Sequence, residues 1–241
     1  MILGSTGSIG VQALEIISAN PERFKVVGLA AGGNNPDLLA AQKAKFQVAE
    51  VGVGVAAASD IAALDCDVVL NGITGSIGLG PTLSALAAGN KVALANKESL
   101  VAGGDLVVKY GRENLIPVDS EHSAIAQCMK GEKFKEIKKI ILTASGGPFR
   151  GKKLHELKSV KLEEALKHPT WQMGPVVTVN SATLMNKALE IYTYQRIQPQ
   201  QRMGQEGNFQ WGVKRGGWHL LSFDMLQDDY CPRSEEHTSE L

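Results

Sequence analysis

Met1-Ile-Leu-Gly4-Ser-Thr-Gly7-Ser-Ile-Gly10 opens the chain: three apolar residues run directly into spaced glycines. Beyond them Ile9, Val11, Leu14 and Ile17 recur at helical spacing until Asn20-Pro21. Apolar run, glycines and helical period together predict strand, tight turn and helix. Glycines let the backbone turn sharply and approach a pyrophosphate, and the open N–H groups at the helix start favour negative charge. Taken alone the stretch also reads as a plain tight turn, so the fold is decided by whether strands and helices go on alternating beyond Pro21.

Working outward, Phe24 to Ala30 reads as a second strand carrying Val26, Val27 and Leu29, and it ends in Ala31-Gly32-Gly33-Asn34-Asn35. A helix is expected from Pro36 to Lys45, then a short apolar run from Val48 to Val55 and a further segment from Ala56 to Leu64. Asp67 to Leu70 forms another buried strand, leading through Asn71-Gly-Ile-Thr-Gly75 into a helix that runs to Ala88; Lys91 to Leu94 comes after it as the next strand. Alternating strands and helices argue a parallel sheet. The expected class is therefore α/β: a doubly wound Rossmann-type dinucleotide-binding domain over residues 1–118, succeeded by an incomplete α+β domain over 119–192. At the end of the second strand, where NAD enzymes usually place a carboxylate on the ribose 2′-hydroxyl, the chain has Gly32-Gly33-Asn34. A carboxylate there would repel a 2′-phosphate, so its absence leans towards NADP, although no Arg is present to grip that phosphate.

Composition narrows the partners. The 241 residues are 44% hydrophobic and 21% charged with zero formal net charge, ample for a sizeable core. No basic stretch marks the region that carries the motifs, so nucleic acid and membrane surfaces are not indicated, and a small molecule is the expected partner. Cys66, Cys128 and Cys231 are odd in number and lack C-x-x-C spacing, which gives neither a disulfide framework nor a thiolate zinc site and fits a reducing, cytoplasmic setting. No targeting segment and no apolar run of membrane-spanning length is read.

Several polar stretches are candidates for chemistry, each with a structural alternative. Asn96-Lys97-Glu98-Ser99 lies at a strand's carboxyl end, where open α/β sheets bind ligands; equally, Glu98 or Ser99 caps the next helix. Ile116 to Val118 starts a strand running into Asp119-Ser120-Glu121-His122. If extended, it points Asp119 and Glu121 the same way with Cα atoms roughly 6–7 Å apart. Two such carboxylates need a cation between them, and oxygen ligands suit Mg²⁺ or Mn²⁺ better than zinc. The alternative is a helix start capped by Asp119 or Ser120. His122 reads as non-catalytic. Ile140 to Thr143 forms a strand that enters a glycine turn in which Ser145 and backbone N–H groups can hold an anion, or which is an ordinary turn. His168-Pro-Thr-Trp171-Gln-Met173-Gly174 is irregular and has the residue types of a mobile lid. Finally, Val177 and Val179 alternate like a strand, Asn180 and Ser181 are good caps for a helix after them, and Asn186, Lys187 and Glu190 share one side of that helix. That side either holds an anion and a metal together or is a solvated Lys–Glu pair.

Gly4–Gly10, Asn96-Lys-Glu-Ser-Leu100, Val118-Asp-Ser-Glu-His122, Ser145-Gly-Gly-Pro-Phe149, His168-Pro-Thr-Trp171 and Asn180-Ser-Ala-Thr-Leu-Met-Asn-Lys187 occur in this order. With them the chain resembles the 1-deoxy-D-xylulose 5-phosphate reductoisomerase family over roughly residues 1–192. The resemblance implies conversion of 1-deoxy-D-xylulose 5-phosphate to 2-C-methyl-D-erythritol 4-phosphate, an isoprenoid precursor, by a metal-assisted rearrangement and then hydride transfer from NADPH. It implies Asp119, Glu121 and Glu190 as ligands of Mg²⁺ or Mn²⁺, converging on one ion. It implies Ser145, Ser181, Asn186 and Lys187 on the substrate phosphate, and Lys97, Ser120 and His168 at the reacting end, with Lys97, Glu121 and His168 as the catalytic set. Trp171 and Met173 would belong to the lid, and Thr6, Gly7, Ser8, Ile9, Gly32, Gly33, Asn34, Asn96, Glu98 and Gly174 to the NADPH site. The family is also expected to form homodimers. The rival readings are a simpler NADP-dependent semialdehyde or homoserine-type dehydrogenase, which needs no such carboxylate set, and a truncated cofactor-binding remnant with weak or absent turnover.

Three departures from the family pattern stand out. The stretch between Lys45 and Asp67 is short, as though one strand–helix unit were missing. Ala188 stands after the Asn-Lys pair where glycine is common. Residues 193–241 depart from the family: Gln195 to Tyr230 is rich in Gln, Gly and Arg, and Arg233 to Leu241 reads as a translated sequencing adaptor. This tail is expected to be artefactual or disordered.

Overall fold

A computed structural model describes residues 1–131, 142–170, 172–197 and 219–221. They belong to two compact units, Met1–Ala126 with Thr193–Gln198, and Gln127–Tyr192 with Pro199–Leu241.

The first unit is a parallel six-stranded sheet: β1 (Ile2–Leu3), β2 (Gly28–Ala31), β3 (Glu50–Val53), β4 (Val68–Asn71), β5 (Lys91–Leu94) and β6 (Leu115–Pro117). Their order is β3-β2-β1-β4-β5-β6, so strand order reverses between β1 and β4, with Leu3 opposite Asn71. Helices α1 (Ser8–Ala19), α2 (Pro36–Phe46), α3 (Gly54–Ala62), α4 (Leu79–Ala87) and α5 (Lys97–Val107) connect them. Successive strand residues point to opposite faces, and each face has its own core. Leu3, Ala30, Val69, Val92 and Leu94 pack with Ala58, Ile61, Ala85 and Leu100, while Ile2, Leu29 and Ala31 pack with Leu14, Leu39 and Val48. Because both faces are covered, the central strands read as continuous apolar runs rather than as alternation. Local chemistry sets the helix starts. Asn35 caps α2 by accepting from the Leu38 N–H at 3.2 Å, and Pro36 takes the first turn, where a missing N–H costs nothing.

The glycine turn Gly4–Gly10 lies between β1 and α1, and the doubly wound α/β class holds. The compressed stretch forms β3 and α3, one strand and one helix of the six-stranded sheet. β2 is shorter than expected: its ladder begins at Gly28, and Phe24 is exposed.

Two expectations are corrected. The extended reading through Asp119 to Glu121 fails, because α6 (Ser120–Cys128) begins immediately after Asp119. Pro117 has no N–H to extend the ladder, Val118 donates the last bond to Leu94 O at 3.2 Å, and Ser123 N–H already donates to Asp119 O at 2.8 Å. The strand read at Val177 and Val179 is also absent. That segment is helix α8 (Pro175–Ala182), started by Gly174-Pro175, and inside it Thr178 Oγ1 donates back to Gly174 O at 2.9 Å. Ser181 therefore sits in the last turn of α8, and α9 (Met185–Ile197) starts after Leu184, whose φ of 59° breaks the helix.

In the second unit β7 (Leu142–Ala144) pairs antiparallel with β8 (His219–Leu221), so three residues of the tail expected to be disordered form a strand. A short helix, α7 (Leu162–Ala165), precedes α8. Trp171, residues 198–218 and residues 222–241, including the adaptor-like end, lie outside the described residues. Among the described residues no helix is long and apolar enough to cross a membrane.

Candidate cofactor, metal and anion sites

At the carboxyl edge of β1 the backbone folds tightly. Gly4 and Ser5 N–H groups donate to Ala30 O at 2.8 and 2.9 Å, and Gly7 N–H donates to Gly4 O at 3.0 Å. A side chain at Gly10 would place its Cβ 2.3 Å from Gly4 O, so only glycine lets α1 start this close to the turn. Thr6 is half-buried, and Gly7, Ser8 and Ile9 are exposed, as are Gly32, Gly33 and Asn34 at the end of β2. This rim is open to a ligand at the point where strand order reverses, the location at which such sheets bind dinucleotides.

Asn96, rather than Glu98 or Ser99, caps α5: its Oδ1 accepts from Ser99 N–H at 2.7 Å. Its Nδ2 donates to Ile73 O and to Gly75 O, the latter at 2.7 Å, so the buried amide is committed to the fold. Glu98 lies in the first turn of α5, where the helix dipole favours an acid.

The Lys97 ammonium, at the start of α5, is 2.6 Å from Asp119 Oδ2, and both side chains are only 11% exposed. Asp119 Oδ1 is buried and has no hydrogen-bond partner among the described residues; His122 Nδ1 is 3.9 Å away, too far to serve. Next to it, Ser120 Oγ donates to Glu121 Oε2 at 2.5 Å. His122 is buried and shares a 3.1 Å hydrogen bond between its Nε2 and Thr193 Oγ1, with its ring 6.3 Å from that of Tyr194. This contact ties α6 to the end of α9.

The second unit brings two of the anion candidates, Ser145 and Ser181, together with His168, which the resemblance sets at the reacting end. His168 Nε2 is 3.0 Å from Ser145 Oγ, which is 3.3 Å from Ser181 Oγ. Thr170 N–H donates to His168 Nδ1 at 3.1 Å, so in the neutral ring the proton sits on Nε2 and is offered to Ser145. Burial holds the His168 pKa below its ordinary value. The turn that presents Ser145 needs its glycines: Gly147 has φ +61°, and a Cβ there would meet Ala182 Cα and Ser181 O at 2.9 Å.

Lys187 and Asn186 are both engaged by Glu190. Lys187 Nζ lies 2.6 Å from Glu190 Oε2, Asn186 Nδ2 donates to Oε1, and Glu190 is fully buried with Lys187 only 4% exposed. The solvated-pair alternative is thereby overturned: a buried carboxylate held on both oxygens is a built feature, not a surface ion pair. Gly174 caps α8, and Met173 before it is partly exposed. Asn71, Thr82 and Gln42 are buried polar residues absent from the sequence-based candidates, although Asn71 was visible as the polar end of an apolar strand.

The chain is similar to known proteins over most of its length. The family model for 1-deoxy-D-xylulose 5-phosphate reductoisomerase matches residues 1–58 and 49–104, and the model for the C-terminal domain of that enzyme matches residues 115–197. A curated 1-deoxy-D-xylulose 5-phosphate reductoisomerase from Mycolicibacterium smegmatis is 57% identical over 208 residues, covering 79% of this chain and 52% of the relative. One from Leifsonia xyli is 56% identical over 193 residues, covering 79% of this chain and 53% of the relative. The chain thus spans about half the length of the curated relatives it matches. Among solved structures, a reductoisomerase in complex with NADPH, fosmidomycin and magnesium superposes with a TM-score of 0.71 at 33% identity, covering 81% of this chain and 57% of the other. The Zymomonas mobilis enzyme in complex with NADPH gives 0.71 at 37% identity, with the same coverage.

Proposed function

Because the chain belongs to the 1-deoxy-D-xylulose 5-phosphate reductoisomerase family, we propose that it carries the NADPH- and divalent-metal-binding part of an enzyme that isomerises and reduces 1-deoxy-D-xylulose 5-phosphate. The observation that carries the metal reading is Asp119. One of its oxygens is neutralised by Lys97, and the other is buried with no hydrogen-bond donor among the described residues. A buried carboxylate oxygen left without a donor is costly unless a cation completes its shell. On the family resemblance, Asp119, Glu121 and Glu190 are the residues that would hold such an ion. Carboxylates alone fit Mg²⁺ or Mn²⁺.

When bound, the cation polarises a carbonyl oxygen and NADPH supplies the hydride. The tasks of the chain's own residues are set by their contacts. The open rim at Thr6–Ile9 and Gly32–Asn34 receives the dinucleotide, and the absence of a carboxylate there suits the 2′-phosphate. Ser145 and Ser181 present hydroxyl donors to a phosphate, with His168 bonded to Ser145, and that grip supplies remote binding energy for positioning the reacting end. Lys97 and Ser120, beside Asp119 and Glu121, are placed to orient the substrate oxygens. Asn186 and Lys187 hold the Glu190 carboxylate in one orientation. Homodimer assembly and a cytoplasmic setting belong to the same proposal, the first checked by light scattering.

The test is oxidation of NADPH, monitored by nicotinamide absorbance, with 1-deoxy-D-xylulose 5-phosphate and Mg²⁺ or Mn²⁺. Turnover that needs both substrate and metal is expected. Metal-independent oxidation would favour the simpler dehydrogenase, and NADPH binding without turnover in any metal would favour the remnant.

A further inference from the structure

The glycine turn occurs twice. Gly4-Ser-Thr-Gly-Ser-Ile-Gly10 comes after β1, and Gly72-Ile-Thr-Gly-Ser-Ile-Gly78 comes after β4, differing only in Ser5 against Ile73. β1 and β4 are the neighbouring strands at which the sheet order reverses, and each opens one half of the doubly wound unit. The two turns touch through their backbones. A Cβ at Gly4 would lie 2.9 Å from both Gly72 C and Gly72 O, and Gly72 N–H donates to Leu3 O at 2.9 Å.

Near-identical words nevertheless adopt different shapes. In the first copy the leading glycine is left-handed, Gly4 at φ +80°; in the second it is the fourth residue, Gly75 at φ +85°. The difference lies in what holds them. The residue before the first copy is Leu3, an apolar core residue, whereas the residue before the second is the fully buried Asn71. Asn71 Oδ1 accepts from Ile73 N–H at 3.1 Å, and its Nδ2 donates to Gly78 O at 3.0 Å and Thr82 Oγ1 at 2.8 Å. From the other side Asn96 Nδ2 donates to Ile73 O and Gly75 O. Every peptide bond here is trans, so the N–H of each peptide unit points opposite to its carbonyl. With Ile73 and Gly75 carbonyls drawn in to Asn96, the Thr74 and Ser76 N–H groups are turned the other way, on exposed residues and with no hydrogen bond to any described residue.

We propose that Asn71, acting with Asn96, is a positioning residue that sets the second turn to receive oxygen atoms of the nicotinamide-side half of the dinucleotide, while the first turn takes the pyrophosphate. The inference rests on the reading that the chain binds NADPH. It extends that reading by dividing the cofactor between two copies of one motif, one for each half of the fold. Neither amide is aimed at the cofactor itself, since both are spent on the backbone of the turn and, for Asn71, also on the Thr82 hydroxyl of α4.

The test separates the two halves of the ligand. Calorimetry on the full chain measures Kd for NADPH and for adenosine 2′,5′-bisphosphate, which carries the adenine half alone. Asn71→Asp replaces the amide donor to Gly78 O and Thr82 by an oxygen of the same shape. Gly78→Ala forces a methyl to within 2.6 Å of Asn96 Nδ2 and so disturbs the other arm. Each variant is expected to weaken NADPH about tenfold or more while leaving the bisphosphate within twofold, with hydrogen exchange of the sheet unchanged. Equal weakening of both ligands, or no change in either, overturns the proposal. Failure of the unsubstituted chain to bind NADPH overturns the cofactor reading, and this inference with it.

Discussion

The two compact units are built on different physics. In the first, the buried set is dominated by large apolar residues on both faces of a sheet, such as Leu3, Leu29, Leu100, Val69 and Val92, and the polar candidates stand at its rim. In the described part of the second, the buried apolar residues are the small Ala144, Ala165 and Ala182, and the buried polar ones are Thr178, Lys187 and Glu190. Leu154, Leu162 and Val176 are meanwhile exposed there. A non-directional apolar core tolerates approximate packing, whereas a buried ion pair is held only while its geometry is intact. The first unit therefore carries the fold, and the second carries a charge arrangement that the fold must protect.

The sharpest way to break this contrast is to remove one charge from the buried pair. Lys187→Met removes the ammonium beside the buried Glu190 carboxylate, and the expected cost is about 3–5 kcal/mol, read by hydrogen exchange in α8 and α9. Adding Glu190→Gln to the same chain is expected to recover most of that loss. A single variant as stable as the parent would show that the pair is not structurally important. In the first unit the matching experiment is Leu29→Ala, with an expected loss of about 2–5 kcal/mol in denaturant unfolding and no selective effect on the Ser145–His168 contact.

Function sharpens the comparison next. Glu121→Gln is expected to lower turnover and Mn²⁺ affinity together by about a hundredfold, since loss of even an outer partner of a metal ligand costs about 10–100-fold. Intact Mn²⁺ binding in that variant would remove Glu121 from the metal set. Gly10→Ala should strain the first turn by about 1–3 kcal/mol, because its methyl would collide with Gly4 O, and NADPH affinity should fall with it. Unaltered binding would detach the turn from the cofactor.

The smallest effect is that of pH at His168. Its folded pKa is lowered by burial, so between that value and the unfolded value of about 6.5 the native state binds fewer protons than the unfolded one. Stability should accordingly rise with pH through this window and be level above it, while below the folded pKa the penalty is constant. A proton NMR titration of the ring checks the direction, and a midpoint above about 6.5 would reverse the sign.

The doubly wound class, the glycine turn between strand and helix and the strand at Lys91–Leu94 were all legible, because each depends on residues close in sequence and on burial of a repeating pattern. Val177–Val179 misled for the same reason: alternation suggested a strand, and Gly174-Pro175, a helix-starting pair just upstream, decided otherwise. At Asp119 two local readings competed, and the helix won once Pro117 ended the ladder.

By itself, then, the amino-acid order determined the family to which the chain belongs and the candidate residues that this family implies; it also determined the parallel sheet, since periodicity and glycine placement act over a few residues. Tertiary structure alone decided how those residues are used. Asn96 is spent on Ile73 and Gly75, Lys97 meets Asp119 across a turn of the sheet, Ser145 meets His168 and Ser181, and two nearly identical glycine turns differ because Asn71 lies under one of them and Leu3 under the other. The physical reason is that hydrogen bonds and ion pairs are short-ranged and directional. They act only between groups that the fold has brought within about 3 Å, and the sequence distance between those groups says nothing of that.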